Sequence, residues 1–178
     1  MIHFKDMPLH SRVWIYQSVR EFSENEMTSV KTKAESFIAE WTSHGKTMSA
    51  CIEIFYNRFI IVCVDEKTTS ASGCGIDKSV KFIQQLEFDL SGNTFLLDRM
   101  NVAYRTARLP ARAGTEGYDE GGEGKIISCH IHELKNLLAF PEGLKGITVF
   151  NNLVNTKEGL EQNWEVPLEK SWYKNFLS

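Results

Sequence analysis

The stretch FIIVCVDEKTTSASGCGID, residues 59–77, decides the fold. Its first six residues are apolar without interruption, which is typical of a strand that is buried on both faces. Two acids follow, then a loop of small residues, and then the start of a helix. The stretch therefore delivers four chemically active side chains to one edge of a sheet: Asp65, Glu66, Cys74 and Asp77.

The strand before this stretch is predicted over residues 48–56, and the dipeptide Asn57-Arg58 links the two. A two-residue link favours a tight hairpin. In the register that such a hairpin gives, Cys51 and Cys63 lie on opposite faces, so the sequence predicts that they cannot form a disulfide. Both faces are mainly apolar, and we expect the C-terminal third of the chain to cover the second one.

The first helix has the clearest signal in the chain. Residues 13–18 alternate as a strand, and Ser23 and Glu26 then form a capping box. Apolar residues recur after it at helical spacing: Met27, Val30, Ala34, Phe37, Ile38 and Trp41. The glycine that follows His44 is predicted to end this helix.

The order of elements then predicts the fold class. A second helix is expected over residues 75–90 and a fourth strand over residues 94–98. The order β-α-β-β-α-β is the split-βαβ, or ferredoxin-like, arrangement of the α+β class. Residues 106–124 contain five glycines and few apolar side chains, which predicts a mobile loop. The sequence thus indicates a single domain with a core over residues 12–104 and a C-terminal α/β extension over residues 125–178.

Composition excludes several classes of protein. A hydrophobic fraction of 42% and a charged fraction of 24% are ordinary for a soluble domain, and a net charge of −3 argues against nucleic-acid binding. No apolar run approaches the ~18 residues that span a bilayer, and the N-terminus lacks the features of a signal peptide. Four widely spaced cysteines without a CxxC pair predict reduced thiols. We therefore expect a cytoplasmic protein without a cofactor, whose partner is a small molecule or a protein, and homo-oligomerisation stays open.

The split-βαβ arrangement brings together groups that are distant in sequence. The loop after the third strand lies at the same edge as the loop after the first helix, which places His44 beside Asp65 and Cys74. In one interpretation Cys74 is a nucleophile, His44 its base and Asp65 the acid that orients the base. Unpaired N–H groups at a helix start favour the thiolate. In the other, Cys74 simply fills a small pocket, and the nearby acids oppose its ionisation.

Oxygen ligands at the same edge suggest a second hypothesis. Asp65, Glu66 and Asp77 could hold Mg²⁺ or Ca²⁺. A simpler interpretation is that a buried strand ends in acids where it reaches water, while Asp77 lies favourably in the first turn of a helix. The sequence shows no loop with EF-hand ligand spacing.

The run Cys129-His130-Ile131-His132-Glu133 invites a transition-metal interpretation. On a strand, His130 and His132 share one face and Cys129 lies on the other. Two imidazoles could contribute to a zinc site, but no further ligands with zinc spacing are present. Surface or packed histidines are the expected outcome.

Five segments resemble a family of small uncharacterised bacterial proteins whose members often carry the automatic label "ABC transporter ATPase". They are WIYQS at 14–18, WTSHG at 41–45, YNRFIIVCVDE at 56–66, SGCGID at 72–77 and VPLEKSW at 166–172. The label implies nucleotide binding. The GKT at 45–47 resembles the end of a Walker A loop, but Glu40 stands where the loop needs its first glycine, so ATP hydrolysis is not expected.

Three functions remain open on the sequence alone. The leading hypothesis is a non-enzymatic ligand-binding or interaction module, by analogy with other split-βαβ sheets. The second is a cysteine-dependent enzyme or redox protein that uses Cys74. The third is the nucleotide-binding role that the resemblance implies.

Overall fold

The computed structural model describes residues 2–69, 72–91, 96–106, 124–139 and 146–177. Where the sequence predicts one domain, the chain groups into two compact units. The first unit comprises Met1–Arg99 and Asn152–Gln162, and the second comprises Met100–Asn151 and Asn163–Ser178. Residues 107–123 of the predicted mobile loop lie outside the described part of the chain, so their mobility stays a prediction.

The first unit combines helices with an antiparallel sheet, as the α+β class requires. A short 3₁₀ helix, Phe4–Asp6, precedes its main elements. These are β1 Arg12–Gln17, α1 Glu24–Glu40, β2 Thr42–Ser43, β3 Lys46–Thr47, β4 Ala50–Phe55, β5 Phe59–Val64, α2 Gly73–Ser91 and α3 Lys157–Asn163.

The main sheet has the strand order β1-β5-β4, and β5 runs antiparallel to both neighbours. Strands β1 and β4 are therefore parallel with β5 between them, which is the placement that the element order predicts. Of the fourth strand expected over residues 94–98, the structure describes only residues 96–98. Leu96 accepts a 2.9 Å hydrogen bond from the Val19 N–H, but residues 96–98 are not in a strand.

The capping box of α1 forms as predicted. The Ser23 hydroxyl accepts from the Glu26 N–H, and the Glu26 carboxylate accepts from the Ser23 N–H at 2.8 Å. Arg20 donates two hydrogen bonds to the same carboxylate and is the main reason that the pKa of Glu26 is lowered to about 2. The box therefore stays ionised well below neutral pH.

The Ser23→Ala variant should lose about 1 kcal/mol of unfolding free energy, because the N–H of Glu26 loses its acceptor. Ser36 is a matched control, since it lies exposed in the middle of α1 and only bonds back to the carbonyl of Thr32. Urea denaturation of Ser23→Ala and Ser36→Ala checks this directly. Equal midpoints for the two variants would contradict the capping role.

The end of α1 differs from the prediction. The helix stops at Glu40 because Trp41 takes an extended conformation, and β2 and β3 then form a short hairpin. His44 and Gly45 occupy its turn with φ of 51° and 75°. The glycine supplies the left-handed conformation as expected, but in a hairpin turn instead of a helix end.

The register of the β4-β5 hairpin was predicted wrongly. Cys51 lies directly opposite Cys63, because three residues form the connection instead of two. Tyr56 and Asn57 both have positive φ, 51° and 49°, and Arg58 completes the turn. A one-residue shift moves every side chain of a strand to the other face, so Cys51 and Cys63 share a face.

Different elements cover the two faces of the sheet. Helices α1 and α2 cover one face, forming a core that includes Val30, Ala34, Trp41, Ile52, Val62, Ile83 and Leu86. On the other face, Phe4 packs edge-on against Phe55 with ring centroids 5.1 Å apart. The segment that leads into α3 runs beside β1, where the Val13 N–H donates to the carbonyl of Asn155 at 3.0 Å.

The second unit is built on its own antiparallel sheet. Its strands are β6 Asn101–Thr106, β7 Ile126–His130, β8 Ile147–Phe150 and β9 Glu165–Pro167, in the order β7-β6-β8-β9. Three 3₁₀ helices accompany them: Ile131–Ala139, Leu168–Lys170 and Trp172–Phe176. Val102, Val149, Leu134, Leu168 and Tyr173 pack in its core, so part of the aromatic C-terminus is buried within this unit.

None of the helices in the described residues is both long enough and apolar enough to traverse a lipid bilayer.

Candidate functional site

The loops that follow β5 and α1 meet at one edge of the sheet, as predicted. We call this edge the sheet rim, formed by residues 42–49, 65–69 and 72–75. The Asp65 N–H donates to the carbonyl of Ser49 at 2.8 Å, and the Ser72 N–H donates to the Ser43 hydroxyl at 3.2 Å. Trp41 links the end of α1 to the start of α2 at this rim, because its buried Nε1–H donates to the carbonyl of Gly75 at 2.9 Å.

Asp65 lies at the centre of the polar contacts at this edge and is only 7% exposed. It accepts hydrogen bonds from the Thr68 hydroxyl, the Lys67 N–H and the His10 ring. The Thr68 bond is the main reason that the pKa of Asp65 is lowered, and the other two bonds add to the effect although burial opposes it. Asp65 is therefore held as a carboxylate.

The imidazole that Asp65 binds is His10 and not His44. His10 Nε2 lies 3.0 Å from Asp65 Oδ1, and a carboxylate can only accept, so Nε2 carries the proton. The His10 side chain is 40% exposed. Sequence reasoning missed this pair because the N-terminal segment has no periodic pattern to locate it.

Cys74 and His44 both lie at the sheet rim, and both are exposed. Cys74 is the second residue of α2, because the helix begins at Gly73 and not at Gly75 as predicted, and it does not fill a buried pocket. In the described residues no hydrogen bond joins Cys74 to His44 or Asp65. The arrangement gives an accessible thiol at a helix start without a base in contact with it.

The three carboxylates considered as metal ligands are separately engaged or exposed. Asp65 is surrounded by donors, and Glu66 forms an ion pair with Arg12 at 3.3 Å. Asp77 is exposed on the first turns of α2. Across the described ranges, no cluster of three or more histidine, cysteine, aspartate or glutamate side chains could hold a metal ion.

In the second unit, His130 and His132 do approach each other, with ring centroids 5.0 Å apart. His130 Nδ1 accepts from the His132 N–H, and Glu133 accepts from the His130 N–H at 3.1 Å. Burial, with Glu133 as a smaller cause, raises the pKa of Cys129 to about 11. The polar atoms of this cluster therefore fix the end of β7 and the start of the 3₁₀ helix after it.

The Walker-like fragment does not form a phosphate-binding loop. Gly45 lies in the turn of the β2-β3 hairpin, and Lys46 and Thr47 form the whole of β3. A phosphate cradle needs a glycine-rich loop between a strand and the helix that follows it.

A groove between α1 and α2 is a further candidate site that the sequence did not indicate. It has a volume of about 340 Å³ and is open to solvent. Its aromatic floor is formed by Phe37 and Phe82, whose rings stack with centroids 4.3 Å apart and an angle of 11°. Lys33, Glu40 and Asp89 line its edge. We call it the helical groove.

No family model, curated protein or solved structure matches this chain.

Proposed function

We propose that the protein is a non-enzymatic binding module that takes a small cationic ligand with a flat apolar body in the helical groove. The stacked pair Phe37 and Phe82 carries the proposal. Both rings are half-buried and line an open groove, whereas Leu86, which also lines it, is buried. A volume of about 340 Å³ lies within the usual range for small-molecule sites.

The charges at the edge of the groove favour a cation. Lys33 forms an ion pair with Asp89, which also accepts from Gln85 at 2.8 Å. Glu40 lines the same groove and forms no ion pair with any described residue. The edge therefore carries one carboxylate in excess, and aromatic rings also attract cations through their electron-rich faces.

Fragment binding measured by NMR tests this proposal, with phenethylammonium as the probe and 3-phenylpropionate as its anionic match. We expect the cation to shift the resonances of residues 32–40 and 82–89 and the anion to leave them in place. Phe82→Ala should weaken binding of the cation at least about fivefold, because aromatic contacts dominate such sites. Phe88→Ala is the matched control, since Phe88 lies on the same helix at 56% exposure and does not line the groove. Equal binding by both variants, or by both probes, would reject the proposed site.

A second function is favoured by one observation, the exposure of Cys74 at the start of α2. In this alternative the protein is a thiol-dependent enzyme or redox protein. The proximity of His44 on the same rim supports it, although a base in contact with the sulfur is not in place. Catalytic contacts can tighten only when a substrate binds.

Cys74 should react with iodoacetamide much faster than the other cysteines near neutral pH, because it alone is exposed. Exposure accounts for selectivity but not for activation, so the His44→Gln variant separates the two. If His44 acts as a base, His44→Gln should slow alkylation of Cys74 by at least about tenfold. An unchanged rate would leave Cys74 an ordinary surface thiol and remove the enzymatic alternative.

We also propose that the protein is cytoplasmic and that its first unit has the ferredoxin-like fold. All four cysteines are free, which supports the reducing environment of the cytoplasm. The β1-β5-β4 strand order supports a complete ferredoxin-like sheet. The family resemblance supports a bacterial origin and is the only support for nucleotide binding, which a thermal-shift assay with Mg-ATP would test.

A further inference from the structure

A pair of buried thiols lies on the face of the sheet away from α1 and α2. Cys51 and Cys63 are directly opposite each other on β4 and β5, with exposures of 1% and 0%. The Asp65 N–H donates to the carbonyl of Ser49, so those two residues form a hydrogen-bonded pair of the ladder. Hydrogen-bonded pairs recur every second residue, so Cys51 and Cys63 form the next one, with Cα atoms about 5.5 Å apart.

The Cα separation lies within the range that disulfides span, and closing the bond draws the two Cβ atoms together from the wider spacing of a hydrogen-bonded pair. Disulfides join Cα atoms that are about 4.4–6.8 Å apart, and the two side chains point to the same face of the sheet. We propose that Cys51 and Cys63 form an oxidation site, at which hydrogen peroxide converts the two thiols to an intramolecular disulfide.

The groups around the pair make Cys63 the nucleophile. The adjacent Cys51 thiol lowers the pKa of Cys63, and the Lys157 ammonium lowers it further, against the effect of burial. The same contact with Cys63, together with burial, raises the pKa of Cys51. Thiolate, and not thiol, attacks peroxide.

The reaction balances in two steps. The Cys63 thiolate attacks one peroxide oxygen, the O–O bond breaks, and the departing hydroxide takes a proton to become water, which leaves Cys63 as a sulfenic acid. The Cys51 sulfur then attacks the Cys63 sulfur, the S–O bond breaks, and the released hydroxide leaves as a second water with the Cys51 proton. Two electrons pass from the sulfurs to the peroxide.

The N-terminal segment, residues 2–10, controls access to this face. The Phe4 N–H donates to Glu53 Oε1 at 2.7 Å, and the Phe4 ring packs on Phe55. Glu53 and Phe55 lie on the same face of β4 as Cys51. Lys157 holds the segment by donating to the carbonyls of Lys5 and Met7. Because residues 2–10 lie outside the sheet, they open more easily than its strands, and their release is the route for peroxide.

Peptide mapping of the full chain after peroxide treatment tests the proposal. The Cys74→Ser/Cys129→Ser variant is the best substrate, because it leaves only the buried pair and removes the two more accessible thiols. We expect a product that has lost two hydrogen atoms, contains a peptide linking Cys51 to Cys63, and returns to the starting mass with dithiothreitol. If that variant does not fold, the wild-type chain gives the same linked peptide.

Two substitutions test the role of the N-terminal segment. Phe4→Ala should speed formation of the disulfide by at least about tenfold, because large-to-small changes at buried phenylalanines strongly weaken local packing. Leu9→Ala should leave the rate unchanged, since Leu9 lies in the same segment at 50% exposure. Reduced Cys51 and Cys63 at a peroxide concentration that oxidises Cys74 completely would overturn the proposal. Sulfinic acid at either position without a linked peptide would overturn it too.

Discussion

Replacing Trp41 with alanine should lower the unfolding free energy of the first unit by about 3–5 kcal/mol, the usual cost of truncating a buried tryptophan. Trp41 is 1% exposed and lies in the core between α1, α2 and the sheet. Its ring also packs against Phe37 with centroids 5.0 Å apart. Truncation would leave a large cavity where α1 ends and would remove the hydrogen bond to the carbonyl of Gly75.

Two variants separate these contributions. Trp41→Phe keeps an apolar ring and loses the Nε1–H donor, so we expect a loss of about 0.5–1.5 kcal/mol, the usual net contribution of one hydrogen bond. Trp172→Ala in the second unit removes a side chain that is 36% exposed, and its cost should be well below that of Trp41→Ala. Urea denaturation followed by circular dichroism measures all three. A Trp41→Ala midpoint close to that of the wild type would show that the end of α1 does not support the core.

Local signals in the sequence located most elements of the first unit. The capping box at Ser23 fixes the start of α1, and the unbroken apolar run from Phe59 fixes β5, because each pattern has a single physical explanation. The placement of β5 between β1 and β4 follows from the order of elements. These features depend on short stretches of chain, where propensity and periodicity are informative.

The predicted register of the β4-β5 hairpin was wrong because Tyr56, the residue that lengthens the connection, has an atypical conformation. Tyr56 takes a positive φ of 51°, which bulky side chains rarely adopt, so the sequence favours a two-residue connection. Periodicity could not correct the error, since both faces of β4 and β5 are largely apolar. The proximity of Cys51 and Cys63 therefore becomes visible only in the structure.

The candidate sites show the same division between local and distant information. The meeting of the loops at Asp65 and Ser72 was predictable from strand order. The pairing of Asp65 with His10 was not, because it joins residues 55 positions apart through a segment without a pattern. The helical groove depends on how two helices pack side by side. In the sequence, Phe37 and Phe82 each have the pattern of an ordinary core residue, and their stacking is visible only in the structure.

The Lys157→Met variant should lose about 2–3 kcal/mol of unfolding free energy. The ammonium is almost fully buried and donates to the carbonyls of Lys5 and Met7 at 3.0 and 2.7 Å. A hydrogen bond to a charged group contributes about 1.5–3 kcal/mol, and the substitution removes two of them. Methionine recovers part of the loss, because it fills a similar volume without the cost of burying a charge.

The Glu161→Gln variant shows whether the loss comes from the carbonyls or from the ion pair. Glu161 lies 3.4 Å from the Lys157 ammonium, but its side chain is 45% exposed, so the pair is worth at most about 1 kcal/mol. We expect Glu161→Gln to leave the denaturation midpoint nearly unchanged while Lys157→Met lowers it clearly. Hydrogen exchange should then locate the Lys157→Met effect in residues 4–7, because that segment loses its donor. Equal costs for the two variants would mean that the ion pair, and not the hold on the N-terminal segment, is what Lys157 contributes.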